Sequence, residues 1–304
     1  MDVSVVICAH NSRPTYLRRV LSSLQAQDLP KQRWELILVD NLSRVPLAGL
    51  DLSWHPHARH ILEEKLGLTW ARERGVREAI GDLIVFVDDD NVLVQNYLSE
   101  AVRIGCEWPR LGAWGSGSTI PEYEEPPDGG LTELLPYLTL REVPTARWSN
   151  MPDCAAAIPY GAGLCVRAKI ATIWLDFQRA AVRLSGRSGQ DPLSGEDIEI
   201  SWVACNAGFG VGIFPELRLT HLIRKERIAE DYLISLYEGT RFSNHLLAYK
   251  WRGVVPRDPL SCLGLLSIVR NLLLLRGLHR RMFLAATRAA MKARSNIASH
   301  QCKS

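Results

Sequence analysis

Leu83-Ile84-Val85-Phe86-Val87-Asp88-Asp89-Asp90-Asn91 is an apolar, largely β-branched run that stops on three adjacent carboxylates. Such a short run, bounded by polar turn formers, reads as a buried strand from Leu83 to Val87. Three neighbouring acids repel one another unless a cation or solvent compensates, and oxygen-rich clusters suit Mg²⁺ or Mn²⁺ bridging a pyrophosphate. An exposed acidic turn is the competing account. The position directly after Val85-Phe86-Val87, rather than inside a polar stretch, favours the metal.

The same pattern recurs on the N-terminal side. Val3 to Ala9 reads as a strand that runs into His10-Asn11-Ser12-Arg13-Pro14, after which Leu17, Val20, Leu21 and Leu24 recur at helical spacing. Leu36 to Val39 is a second strand, ending at Asp40-Asn41, and Leu68 to Ile80 reads as a helix with a basic face. Strands alternating with helices predict a mainly parallel sheet, and the polar residues fall at the strands' C-terminal ends, the edge where open α/β sheets bind nucleotides.

On the C-terminal side, Pro121 to Pro159 is rich in proline, glycine and charge. It reads as a long loop with one short helix, Leu131 to Leu138, suited to form an acceptor wall. Order returns at Tyr160-Gly161-Ala162-Gly163-Leu164-Cys165-Val166. Ser194-Gly195-Glu196-Asp197 then opens a helix to about Asn206, with Ser194 as N-cap, and a strand follows near Val211 to Phe214. Acids at helix starts and strand ends also have plain capping and turn roles, so Glu196-Asp197 and Asp40 each say little in isolation.

Composition sets the bounds. The chain has 304 residues, 47% of them apolar and 23% charged, which argues against disorder and against a polytopic membrane protein. Its seven cysteines form no CxxC pair, so reduced thiols in a cytoplasm are the simpler account. The opening Met1 to Ile7 has no cationic region and reads as a first strand rather than a leader. A net charge of +3 is too small to imply nucleic acid, but no acid follows Asp258, whereas Arg270, Arg276, Arg280, Arg281, Arg288, Lys292, Arg294 and Lys303 do.

Taken in order, these stretches resemble a family-two glycosyltransferase with the GT-A nucleotide-sugar fold. The matching segments are Val3 to Asn11 with Leu17 to Gln27, Glu35 to Asn41, Gly67 to Arg72 with Gly75, Gly81 to Asn91, Gly161-Ala162-Gly163, and Gly195 to Glu199. They cover roughly residues 3 to 221. The resemblance implies a Rossmann-like, mixed but mainly parallel sheet flanked by helices. It also implies a catalytic domain over 1–222, with a donor half to about 115 and an acceptor half beyond, and a helical, basic-amphipathic extension over 223–304.

The resemblance further implies roles. Ala9, His10, Asn11 and Asp40 would hold the base and ribose, and Thr69 and Arg72 would lie along the base or phosphates. Asp88 and Asp89 would face the ribose and the metal's water shell, and Asp90 would bind Mn²⁺ or Mg²⁺, with Asp88 and His221 as further contacts. His221 is placed just after the late strand; a structural histidine is the equal alternative. Asp197 would be the general base of an inverting displacement, Glu196 would orient it or the acceptor, and Gly163 would let backbone approach the sugar. Family habit favours a UDP-sugar. The Gln-x-x-Arg-Trp motif of processive synthases is absent, implying one sugar added per encounter to a glycan or lipid-linked hydroxyl. Trp202 reads first as a core residue and second as a sugar platform.

Leu260 to Leu275 is strongly apolar but interrupted by Arg270 and Asn271, and is too short to span a bilayer. It reads either as amphipathic helix on anionic lipid at the inner face of a membrane, or as a hairpin packed on the catalytic domain or in a homodimer. The rival reading of the whole is a catalytically inactive sugar-nucleotide-binding scaffold, against which the presence of both Asp90 and Asp197 argues. A nucleotidyltransferase would need a glycine-rich loop that Ala9 to Arg13 lacks, and the leucines of the tail favour lipid over nucleic acid.

Overall fold

The computed structural model describes residues 1–180 and 195–301. In chain order the first half comprises β1 (Val3–Ala9), α1 (Pro14–Gln25), β2 (Trp34–Asp40), β3 (Ala58–Leu62), α2 (Leu68–Glu78), β4 (Leu83–Asp88), β5 (Asn91–Leu93), α3 (Tyr97–Glu107) and β6 (Leu111–Tyr123). A 3₁₀ segment, Gly129–Leu138, leads into β7 (Arg141–Glu142), β8 (Arg147–Ser149), β9 (Leu164–Arg167) and α4 (Ala168–Ala180). The remainder is α5 (Glu196–Asn206), β10 (Gly210–Ile223), α6 (Glu230–Arg252), α7 (Cys262–Leu274) and α8 (Gly277–Gln301).

One mixed sheet runs in the order β3-β2-β1-β4-β9-β6-β10-β5, with β7 on β6 and β8 on β10. The long ladders β3-β2-β1-β4 and β6-β10 are parallel; β9 joins them antiparallel to both β4 and β6. β1 lies centrally, covered on both faces, so it is a continuous apolar run instead of an alternating one. Its pleat divides the core. Val3, Val5 and Ile7 pack with α1 and α3, and Val6 packs with α2, α4 and α5 on the other face. The α2 helix comes so close to β1 that a Cβ on Gly75 would sit 2.3 Å from a Val6 methyl. Buried Ser4 is satisfied by Glu35, which also takes the Ile80 N–H and the Arg59 guanidinium.

Three expectations need correction. Pro121 to Pro159 is not simply loop: β6 continues to Tyr123, the expected short helix is a ten-residue 3₁₀ turn, and β7 and β8 add short pairs. β10 does not stop at Phe214. Pro215 and a register shift interrupt it, but pairing to β6 resumes at Arg218, with Ser116 Oγ donating to the displaced Leu217 carbonyl at 2.8 Å. His221 therefore lies within the strand, opposite Asn91 of β5, rather than after it. Ser194, expected as a helix cap, lies outside the described residues; Gly195 stands at the N-cap.

The C-terminal region divides. α8 runs alongside α6 through Ala285, Ala289, Ala293 and Ile297, a stripe whose small members allow close approach. Three of its cations are used internally: Arg281 pairs with Glu230 and Asp231, and Arg288 and Lys292 pair with Glu238. The order of these pairs makes α8 parallel to α6. α7, the crossover between them, buries none of its residues. Trp202 joins the core reading, packed beside Trp251 with Arg252 over its ring. No helix among the described residues is long and apolar enough to cross a membrane.

Candidate active site

Because β1 and β4 are neighbours in parallel register, Cys8 sits opposite Asp88, and the polar ends of both strands open into one cavity of about 960 Å³. Ala9, His10 and Arg13 line it from the end of β1, Asp88, Asp89 and Asp90 from the end of β4, and Arg72 from α2. Glu196 and Asp197 enter from the start of α5, and His221, Arg224 and Arg227 from β10 and the segment after it.

Arg72 connects the two acidic motifs. Its guanidinium is buried, 3.6 Å from Asp88 and 3.9 Å from Glu196, and Thr69 Oγ1 donates to Glu196 at 2.7 Å. Burial opposes the arginine's charge, but Asp88, Glu196 and Asp197 outweigh it and raise its pKa. Asp197 is held by N–H donors from Gly161 at 2.9 Å and from Ile198 at 2.8 Å. Burial, with Glu196 beside it, pushes its carboxyl above the usual range despite Arg72 and those bonds. A carboxylate kept basic and fixed in direction suits proton abstraction.

On the other wall element, Asp90 Oδ2 accepts from Arg227 at 2.6 Å and lies 3.5 Å from His221 Nε2. Arg227 Nη1 is 3.0 Å from the same imidazole nitrogen. His221 Nδ1 meets the Leu138 carbonyl at 3.0 Å, which requires the proton on Nδ1 and leaves Nε2 a lone pair toward Asp90 and Arg227. A carboxylate oxygen and an imidazole nitrogen thus converge on a cationic group, the donor set a divalent ion takes. Asp90 and His221 are donors of the type that would fit a divalent ion, and here both face the Arg227 guanidinium. Asp89 is raised to about 7 by burial and by Asp90 and Asp88, with Ser12 and Arg224 acting in the other direction. Among the described residues, no three His, Cys, Asp or Glu side chains form a ready cluster.

Of the other expected residues, Asp40, Asn11, Thr69 and Gly163 do not line the cavity itself. Asp40 accepts backbone N–H groups from Ser43 and Leu47, both at 2.9 Å; burial opposes its charge, but these bonds hold its pKa below the usual value. Asn11, at φ 51°, accepts from Arg44 N and ties the β1 turn to the β2 turn. His10 bonds the Asn41 carbonyl at 2.6 Å, fixing that turn beside the cavity. Gly163 has φ +70°, and its carbonyl takes the Tyr97 hydroxyl at 2.7 Å. Cys8 lines the cavity, but burial pushes its thiol up to about 12, so it is no nucleophile.

Sequence reading missed Arg224, Arg227, Tyr137, Tyr160 and Tyr232, all on the cavity wall. The one legible signal was the basic cluster Arg224-Lys225-Glu226-Arg227 directly after His221. Tyr232 and Thr240 show that α6, assigned to the extension, helps to build the site.

Residues 4–119 match the model described as glycosyl transferase family 2. An uncharacterized glycosyltransferase of Bacillus subtilis, YwdF, is 33% identical over 105 residues, 34% of this chain and 38% of that protein. Residues 1–349 of S. aureus TarS in complex with UDP-GlcNAc superpose with a TM-score of 0.54 at 18% identity, over 94% of this chain and 79% of that one. The same fragment crystallised without that ligand gives 0.51 at 14% identity, over 99% and 92%. The likeness to TarS establishes the GT-A fold. This chain corresponds to 39% of the longer TarS chain, as it does to 38% of the curated relative.

Proposed function

We propose, from the premise that residues 4–119 are a family 2 glycosyltransferase domain, that this chain moves one sugar from a nucleoside diphosphate sugar to a hydroxyl of a glycan or lipid-linked acceptor. The observation that carries the reading is the convergence on one cavity of the β4-end carboxylates and the α5-start carboxylates, held together by buried Arg72. UDP is the favoured nucleotide, supported by the UDP-GlcNAc that the similarly folded TarS binds.

In this reading Ala9, His10 and the turn shaped by Asn11 and Asp40 receive the nucleoside, with Arg72 and Thr69 behind it. Asp90 and His221, with Asp88 alongside, would hold Mn²⁺ or Mg²⁺, which when bound supplies positive charge to the departing diphosphate. Arg227 and Arg224 lie where they can follow the same negative charge. Asp197 takes the proton from the acceptor hydroxyl as that oxygen attacks the anomeric carbon opposite the leaving group, and one displacement inverts the configuration. Glu196, fixed by Thr69, keeps Arg72 and Asp197 in register. The catalytic unit takes in the start of α6 as well as 1–222, and the chain works in the cytoplasm.

The test is binding and turnover of UDP-, dTDP- and GDP-sugars with Mn²⁺ or Mg²⁺, compared with Asp90→Ala and with chelator. Metal-dependent donor binding lost in Asp90→Ala supports the assignment and names the donor. If no nucleotide sugar binds with either metal, the transferase reading fails.

A further inference from the structure

Thirteen residues of α7 make a helix about 20 Å long at 1.5 Å per residue, well short of the roughly 30 Å hydrocarbon layer. Ile268, Leu272 and Leu275 form a half-buried stripe toward the protein. The opposite side shows Leu263 at 81% exposure and Leu273 at 77%, with Leu266 and Leu274 beside them. Several large apolar side chains on one exposed helix make a contiguous patch of the kind that marks an interaction surface.

The charges say what covers it. Arg270 stands inside the leucine stripe, between Leu266 and Leu273 on the same face, so the covering surface must supply an anion as well as apolar contact. Arg257, Arg270, Arg276 and Arg280 take no salt bridge among the described residues, unlike Arg281, Arg288 and Lys292 further along α8. A second copy meeting this face about a two-fold axis would bring Arg270 toward another Arg270 with no acid after Asp258 to offset it. A bilayer with anionic headgroups supplies both needs: acyl chain for the leucines and phosphate for an arginine that reaches upward along its stem.

We propose that α7 is an in-plane docking helix that seats this protein on an anionic lipid surface. The seat lies at the rim of the cavity. Just past the end of α7, His279 pairs with Glu133 at 3.3 Å, and Glu133 lines the cavity. Leu278 and Met282 pack beside the 3₁₀ segment that forms that wall. Docking therefore brings the cavity mouth to the lipid surface. This surface is independent of the transfer chemistry, since lipid binding is read with no donor present.

The experiment is flotation of the full chain with vesicles of phosphatidylcholine alone, or of phosphatidylcholine and phosphatidylglycerol in equal parts. The protein should float with the mixed vesicles and release as salt rises. Arg270→Ser and Arg276→Ser should each weaken binding about fivefold. Leu263→Asp, Leu266→Asp and Leu273→Asp together should abolish it while leaving the unfolding midpoint and nucleotide-sugar binding unchanged, because none of the three supports the core. The proposal is overturned if the wild type floats with neither vesicle, if the triple variant floats as well as the wild type, or if the wild type is a dimer that the triple variant splits.

Discussion

Replacing Lys250 with methionine should destabilise the protein and blunt its activity together, although Lys250 lies outside the cavity. Its ammonium sits 2.5 Å from Glu199, with the lysine 5% and the glutamate 0% exposed. Glu199 also takes Trp174 Nε1 at 3.2 Å and the Gln178 amide, so α4, α5 and α6 meet on one carboxylate. Methionine keeps the stem that passes Phe177 but removes the charge. Breaking one partner of a buried pair strands the other and costs about 3–5 kcal/mol. The two remaining donors place this case near 3 kcal/mol, a fall in melting temperature of about 5 °C for a chain of this length. Thermal unfolding followed by circular dichroism measures it. Glu199→Gln combined with Lys250→Met should recover most of the loss, because no charge is then left buried. Glu199 lies two residues beyond Asp197 in the first turn of α5, so turnover should fall in the single variant and return in the double. A single-variant loss below about 1 kcal/mol, or a double variant no better than the single, would refute the reasoning.

Asp197→Asn should lower turnover by about 10²–10⁴ with donor affinity kept, measured by steady-state kinetics beside calorimetry. Since burial raises the Asp197 carboxyl, the basic form is complete only above that raised value. Wild-type kcat/KM should therefore decline on acidification while pH is still above the ordinary aspartate value of about 3.9, a limb absent from the Asn variant. Gly163→Ala should cost about 3 kcal/mol or more by urea unfolding, because φ is +70° and the new Cβ would lie 2.2 Å from the Tyr97 hydroxyl; Tyr97→Phe, losing one hydrogen bond, should cost about 1–3 kcal/mol. Arg227→Gln, which frees Asp90 and His221 from the guanidinium, should tighten Mn²⁺ binding without donor by about tenfold, read by paramagnetic resonance of free Mn²⁺.

What could be read from the residues alone was whatever depends on neighbours in the chain. Strand runs such as Leu83 to Val87, the strand-end acids and the apolar spacing of α1 follow from side-chain period and turn chemistry within a few residues, and they point to the sheet edge where the cavity opens. The extent of β10 was not legible, because Pro215 ends the local signal and only the partner strand β6 restores the ladder beyond it. Asp90 meets Arg227, 137 residues on, and Thr69 meets Glu196, 127 residues on. The tail's basic sequence likewise held two fates: α8 spends Arg281, Arg288 and Lys292 on the acids of α6, and α7 is left with Arg270 and leucines facing outward. Charge and hydrophobicity are properties of a residue, and sequence determined them; whether a charge is paired and whether a leucine is covered depend on what the folded chain brings beside it, and that the tertiary structure decided.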